Sequence, residues 1–272
     1  MIDILLISFS LFLLFIASYY DIKSREVADW IWLIMIIGGI IFHLIQSLIF
    51  ILNKEPFLDY LMDWGGNLII AFIIALILLM GGLWGGADMF ALIAIAVCSP
   101  MTAPVFILGD NRVEILREIF PPSFSLLSNA ILLTIPVPLI LFFYNCFHLI
   151  IHSDKYKFHH ESLKSRIAVL FIGYPRNTLE ISTEIETKPW HFDFLEEYDQ
   201  EIGWRLKFRL GLDNPENDLK RKLIIVDLIK NTNKQTIWVQ PSYPFILILT
   251  LGFITEILLG NILFITLSHL IP

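Results

Sequence analysis

The chain has 272 residues, 56% hydrophobic and 14% aromatic against 17% charged, and its mean hydropathy is +0.71, too apolar for an ordinary water-soluble surface. The net charge of -7 is unevenly spread: residues 1–150 hold 5 Lys+Arg against 11 Asp+Glu, residues 151–240 hold 14 of each, and Glu256 completes the count, which argues against nucleic-acid binding. Two cysteines, Cys98 and Cys146, sit in apolar stretches without CxxC spacing, so they read as packing residues and not as a zinc site or disulfide scaffold.

A helix needs about 20 mostly apolar residues to cross the hydrocarbon core. Six stretches qualify, near 4–20, 30–52, 66–83, 89–108, 124–150 and 244–270. The first does not read as a cleaved signal peptide, because it carries Asp3 ahead of its apolar run, no Lys or Arg, and no A-x-A site after it. It ends in "YYDIKSREVADW", with Asp21 at the boundary. The third starts after "DWGG" and ends in "GGLWGGAD", and the fourth carries Pro100 and Pro104, which predict a kink or an early end. The following loop, "DNRVEILREIFPPS", spaces Val113, Leu116 and Phe120 helically among charges and reads as lying along the outer membrane surface.

Residues 151–240 form the soluble domain. "RIAVLFIG", the alternating "WRLKFRLG" and "KLIIVDLIKNTNKQTIWV" predict a small antiparallel sheet with a hairpin near its end. His159, His160 and His191 have no metal-ligand spacing and read as surface residues. The expected architecture is therefore an α-helical integral membrane protein with six transmembrane helices and a small, mainly β domain between helices five and six. Its parts are residues 1–150, 151–240 and 241–272.

Basic residues orient it. With the N-terminus outside, the inner side holds Lys23, Arg25 and the 14 bases of residues 151–240, and the outer side Lys54, Arg112 and Arg117. The domain is then cytoplasmic in a multi-pass protein of the cell membrane, in contact with its lipids.

An acid inside an apolar span costs roughly 2.5–3.5 kcal/mol at a helix centre and asks for a functional explanation. The candidates are Asp21, Asp63, Asp88 and Glu256. Asp21 leaves the membrane where Asp88 enters it, on the inner side, whereas Asp63 begins the third span on the outer side. Two carboxyls at one depth can share a proton, one activating a water as general base and the other polarising the scissile carbonyl as general acid. That is aspartyl protease chemistry, with no metal or other cofactor. Gly81, Gly82, Gly85 and Gly86, ahead of Ala87 and Asp88, allow close backbone approach or an extended substrate strand. Glu26 and Asp29 beside Asp21 are candidates for attracting a basic substrate segment, or simply a solvated loop face. By the helix dipole, Asp88 at a helix start lies in a field that favours negative charge and Asp21 at a helix end in one that does not. A proton- or cation-coupled transporter would instead need acids at several depths and two similar halves, and no such repeat is present. A structural membrane scaffold is a third reading, and like the second it leaves the meeting of two acids unexplained.

"DIKSREVADWIW" and "GGADMFALIA" resemble the two active-site segments of the archaeal preflagellin peptidases, members of the GxGD aspartyl protease family that includes the type IV prepilin peptidases. "TIWVQPSYPFILI", and a cytoplasmic domain placed before the last helix, extend the resemblance over most of the chain. It implies that Asp21 and Asp88 are the catalytic pair, with Gly85, Gly86 and Ala87 where a substrate backbone approaches. It also implies an active site facing the cytoplasm. The activity implied is removal of a short basic leader, after a glycine, from archaellin or pilin-like precursors. The second glycine of GxGD is Ala87 here, a position where archaeal relatives accept other small or apolar residues. No four-cysteine zinc segment precedes the first span, which resembles the archaeal enzymes and argues against an N-methyltransferase activity.

Overall fold

The computed structural model describes residues 2–81, 86–101, 121–151, 161–188, 190–208 and 215–270. The chain divides into two compact units, residues 1–134 with 244–272, and residues 135–243.

The first unit is helical. Its elements are α1 (Ile2–Ser24), α2 (Asp29–Asn53), α3 (Phe57–Met80), α4 (Gly86–Val97) and α5 (Pro122–Thr134), then α10 (Phe245–Leu259) and α11 (Ile262–Leu270). Leu14, Ala17, Met35, Leu92, Leu126 and Phe253 are among the residues of one shared core, while Phe12, Phe15, Leu44, Leu48, Ile69 and Ile77 point outward as a lipid-facing surface would. Small residues set the helix spacing. A Cβ added at Gly252 of α10 would stand 2.7 Å from the Leu126 carbonyl oxygen and 2.9 Å from the Ala130 Cβ of α5.

Four described segments are long and apolar enough to cross a membrane: α1, α2, α3 and Pro122–Ile151, whose second half is α6 (Pro136–Ile151). Two apolar helices, α4 and α10, are shorter. The third expected stretch starts earlier, at Phe57, which puts Asp63 within α3 and exposed. The fourth ends earlier, at Val97, just before Pro100; Pro104 and most of the surface loop expected at 110–123 lie outside the described residues. The last stretch is not one helix. It breaks at Gly260, where φ is +78°, and Asn129 of α5 serves both sides of the break, donating to the Gly260 carbonyl at 2.8 Å and accepting from the Ile262 amide at 3.0 Å. A backbone break in an apolar setting needs such partners.

The second unit contains α6, α7 (Leu163–Ile172), β1 (Tyr174–Asn177), α8 (Thr178–Thr187), β2 (Phe192–Phe194), β3 (Glu196–Asp199), β4 (Gly203–Leu206), α9 (Pro215–Thr232) and β5 (Thr236–Pro241). The sheet order is β1-β5-β2, antiparallel throughout, with Arg176 opposite Ile237 and Phe194 opposite Val239, while β3 and β4 form a separate hairpin. Ile237 and Val239 join Ile181, Phe192 and Ile225 in one core and Trp238, on the other face of β5, joins Val169 and Leu195 in another.

The expected mainly β domain is corrected to a mixed α/β one. "RIAVLFIG" lies in α7, started by the Ser162 hydroxyl, which accepts from the Ser165 amide at 3.2 Å. The first half of "KLIIVDLIKNTNKQTIWV" belongs to α9, whose buried Lys222, Ile225, Val226 and Ile229 follow a helical spacing, so this segment is a helix and a strand and not a hairpin. His191 lies beside Glu184, 2.8 Å from Nδ1 to Oε1; His159 and His160 lie outside the described residues.

Candidate active site

Asp21 faces inward because of its place in α1. Ser10, Leu14, Ala17 and Asp21 recur at helical spacing along the buried stripe, so the carboxylate continues a core-facing line and is only 6% exposed. Its Oδ2 accepts a hydrogen bond from the Ile246 amide at 2.8 Å. The first amides of a helix have no partner within it, and Pro244, at the N-cap of α10, offers no side-chain cap. A carboxylate 225 residues earlier in the chain fills that role. One turn further along, the Ser18 and Thr250 hydroxyls meet at 2.9 Å, fixing α1 against α10. On the other side of the carboxylate, Arg25 Nη1 lies 3.6 Å from Oδ1.

Asp88 lies in the first turn of α4, partly exposed, at the head of a stripe continued by Ala91, Leu92 and Ile95. Those residues enter the same core as Leu14 and Ala17 of α1 and Leu249 and Phe253 of α10. Helix directions put both aspartates at one end of the unit. Phe9 packs on Phe42, which makes α1 and α2 antiparallel; His43 meets Tyr60, and the Asn67 amide donates to the Ala96 carbonyl at 3.0 Å, which does the same for α2 with α3 and α3 with α4. The start of α4 therefore lies at the end where α1 stops.

Gly86 and Ala87 are exposed at the start of α4, and among the described residues a Cβ added at Gly86 would meet nothing within 4 Å. Gly85, with Gly82, lies outside the described residues. Glu26 and Asp29 are exposed around the turn from α1 to α2. Glu256 is buried in the last turn of α10, so it marks the end of a short helix and not the centre of a long one. Among the described residues, no three His, Cys, Asp or Glu side chains are grouped as a metal site would need.

A second helix weakens the helix-dipole asymmetry expected between the two acids. Asp88 sits at the start of α4, but Asp21, although near the end of α1, has the start of α10 at its carboxylate, so each acid faces a helix N-terminus. The two neighbours of the Asp21 carboxylate, Arg25 and the Ile246 amide, were not among the sequence-based candidates. The i,i+4 spacing of Asp21 and Arg25 was a visible signal.

Comparison with known proteins identifies the family. Residues 8–153, more than half of the chain, match the type IV leader peptidase family, and residues 165–262 match the type II C-terminus of archaeal A24 peptidases. Proteins named preflagellin peptidase are similar along most of their length. That of Methanocaldococcus jannaschii is 27% identical over 256 residues, covering 91% of each chain. That of Methanococcus voltae is 28% identical over 251 residues, covering 91% of this chain and 92% of the relative. That of Methanococcus maripaludis is 24% identical, with the same coverage.

Proposed function

The chain belongs to the type IV leader peptidase family, and on that premise we propose that it is a membrane-embedded aspartyl endopeptidase that removes the short basic leader from archaellin precursors at the cytoplasmic boundary of the membrane. Asp21 and Asp88 are the catalytic pair. The observation that carries this reading is that a buried carboxylate, Asp21, and a partly exposed one, Asp88, end two core-facing stripes at the same end of one helical unit. The names of the relatives support archaellin over pilin-like precursors as the substrate.

In this mechanism one carboxylate takes a proton from a water as its oxygen attacks the scissile carbonyl carbon, and the other, protonated, gives its proton to the carbonyl oxygen. The tetrahedral adduct then collapses, the C–N bond breaks, and the departing nitrogen takes the proton held by the first carboxyl. The second carboxyl recovers its own proton from the adduct's hydroxyl. The open space at Gly86 suits an extended substrate backbone passing in front of Asp88, and the exposed acids Glu26 and Asp29 suit the basic leader. Six crossings follow if α4 and the α10–α11 pair complete the four longer segments. The N-terminus is then outside and the 151–240 domain cytoplasmic.

Membranes holding wild type, Asp21→Asn or Asp88→Asn, incubated with archaellin and pilin-like precursors, test the reading. The wild type should cleave the archaellin precursor preferentially and both variants should be inactive. Equal cleavage by all three would remove Asp21 and Asp88 from catalysis.

A further inference from the structure

Arg25 is the first residue after α1. Its φ is +57°, in the left-handed region, and its amide donates to the Asp21 carbonyl at 3.2 Å. Helices commonly stop on such a residue, and glycine is the usual choice because a Cβ is disfavoured there. Lys54 ends α2 with the same φ, but it is exposed. The difference at Arg25 lies in the side chain, which is turned inward, 19% exposed, with Nη1 3.6 Å from Asp21 Oδ1.

Asp21 is thereby held from two directions. The Ile246 amide takes Oδ2 and the Arg25 guanidinium lies against Oδ1, so the plane of the carboxylate is set by one neighbour on its own helix and one at the start of α10. A guanidinium suits this place, being planar, permanently charged and more weakly hydrated than an ammonium. Lys23, the other base of the turn, is engaged elsewhere, 5.6 Å above the Tyr19 ring. A fixed positive charge also opposes the repulsion that two carboxylates meet when they approach each other.

We propose that Arg25 is a positioning residue for Asp21, orienting its carboxylate and offsetting the repulsion between Asp21 and Asp88 when the pair engages a water. This rests on the reading of Asp21 and Asp88 as the catalytic pair. Arg25 does not touch the scissile bond, so its loss should appear in turnover and not in substrate affinity.

The test measures kcat and KM for archaellin precursor cleavage by the full-length enzyme in detergent, comparing wild type with Arg25→Gly, Arg25→Lys and Asp21→Asn. Arg25→Gly removes the side chain while favouring the backbone conformation, so its thermal midpoint should equal or exceed that of the wild type. Its kcat should fall about tenfold or more with KM within about twofold, the scale on which a misplaced catalytic group acts. Arg25→Lys, which keeps the charge without the planar fork, should recover part of the loss. Wild-type kcat in Arg25→Gly overturns the inference, as does a loss confined to KM, which would place Arg25 against the substrate. A lowered thermal midpoint in Arg25→Gly with no recovery in Arg25→Lys also overturns it, because the role would then be structural. An inactive Asp21→Asn beside a fully active Arg25→Gly removes only the role of Arg25, whereas an active Asp21→Asn removes the catalytic pair itself.

Discussion

Among the described residues, neither packing nor backbone conformation requires a glycine at Gly86. It is helical, and an added Cβ would meet no described atom within 4 Å. Gly86→Ala should therefore keep or raise the thermal midpoint, since alanine is favoured over glycine in a helix by up to about 1 kcal/mol. If the substrate backbone takes the proposed path in front of Asp88, precursor cleavage should nevertheless fall, because the methyl group would stand in that path. Unchanged cleavage by the alanine variant would free Gly86 from that role. At this scale the candidate site was legible where chemistry and boundary position coincide. Asp21 and Asp88 are acids at the ends of apolar stretches, visible without coordinates. The partners of Asp21 were not, because one is a main-chain amide 225 residues away, which leaves no mark in side-chain spacing.

The shortness of α4 puts its C-terminal carbonyls in an apolar setting, where each needs a donor. Asn67 of α3 donates to Ala96, and Trp64 Nε1 approaches the Val97 carbonyl at 3.4 Å. Asn67 also accepts from the Ser123 amide at 2.8 Å, which ties the start of α5 to the same point. Asn67→Leu fits by size but takes the partner from the Ser123 amide and leaves the Ala96 carbonyl only the Ser99 amide at 3.3 Å, at about 1–3 kcal/mol for a buried group left unmet, so the midpoint of unfolding in a denaturing detergent titration should drop. Gly252→Leu should lower it too, by forcing α10 away from the Leu126 carbonyl and Ala130. Because α10 carries the amide that holds Asp21, that variant should also lose cleavage beyond what its stability explains. The early end of α4 was foreshadowed by Pro100. The helical state of α7 and α9 was not, because short runs rich in isoleucine and valine read equally as strands. What decided them was the Ser162 cap and the packing of Ile225, Val226 and Ile229 against the sheet.

Across the whole molecule, apolar cohesion dominates the helical unit, and the mixed unit adds a dense set of ion pairs to its small cores. Asp193 and Asp218 both contact Arg221, Asp218 also accepts from Lys222 at 2.8 Å, and Glu184 bridges Arg176, at 2.6 Å, and His191. Burial works against ionisation of Glu184, but hydrogen bonds from Arg176 and His191 outweigh it and hold the carboxyl below the ordinary value of 4.5. Asp218 is likewise held low by Lys222 and Arg221 against its burial. Glu196 goes the other way: burial raises it, in spite of its contact with Lys234. A carboxyl depressed in the folded state adds stability above its unfolded pKa and loses it as the pH falls through the folded one. Glu184→Gln should therefore lower the thermal midpoint at pH 7, with the gap from wild type intact down to about pH 5, closing progressively below 4.5. A raised group such as Glu196 contributes most below its unfolded pKa, so Glu196→Gln should instead be better tolerated near neutrality than in acid. Midpoints of the full-length protein in detergent, read by near-ultraviolet circular dichroism between pH 3 and 7, distinguish the two patterns; a Glu184→Gln gap that does not change with pH would mean that the charge of Glu184, paired with Arg176, contributes nothing to the fold.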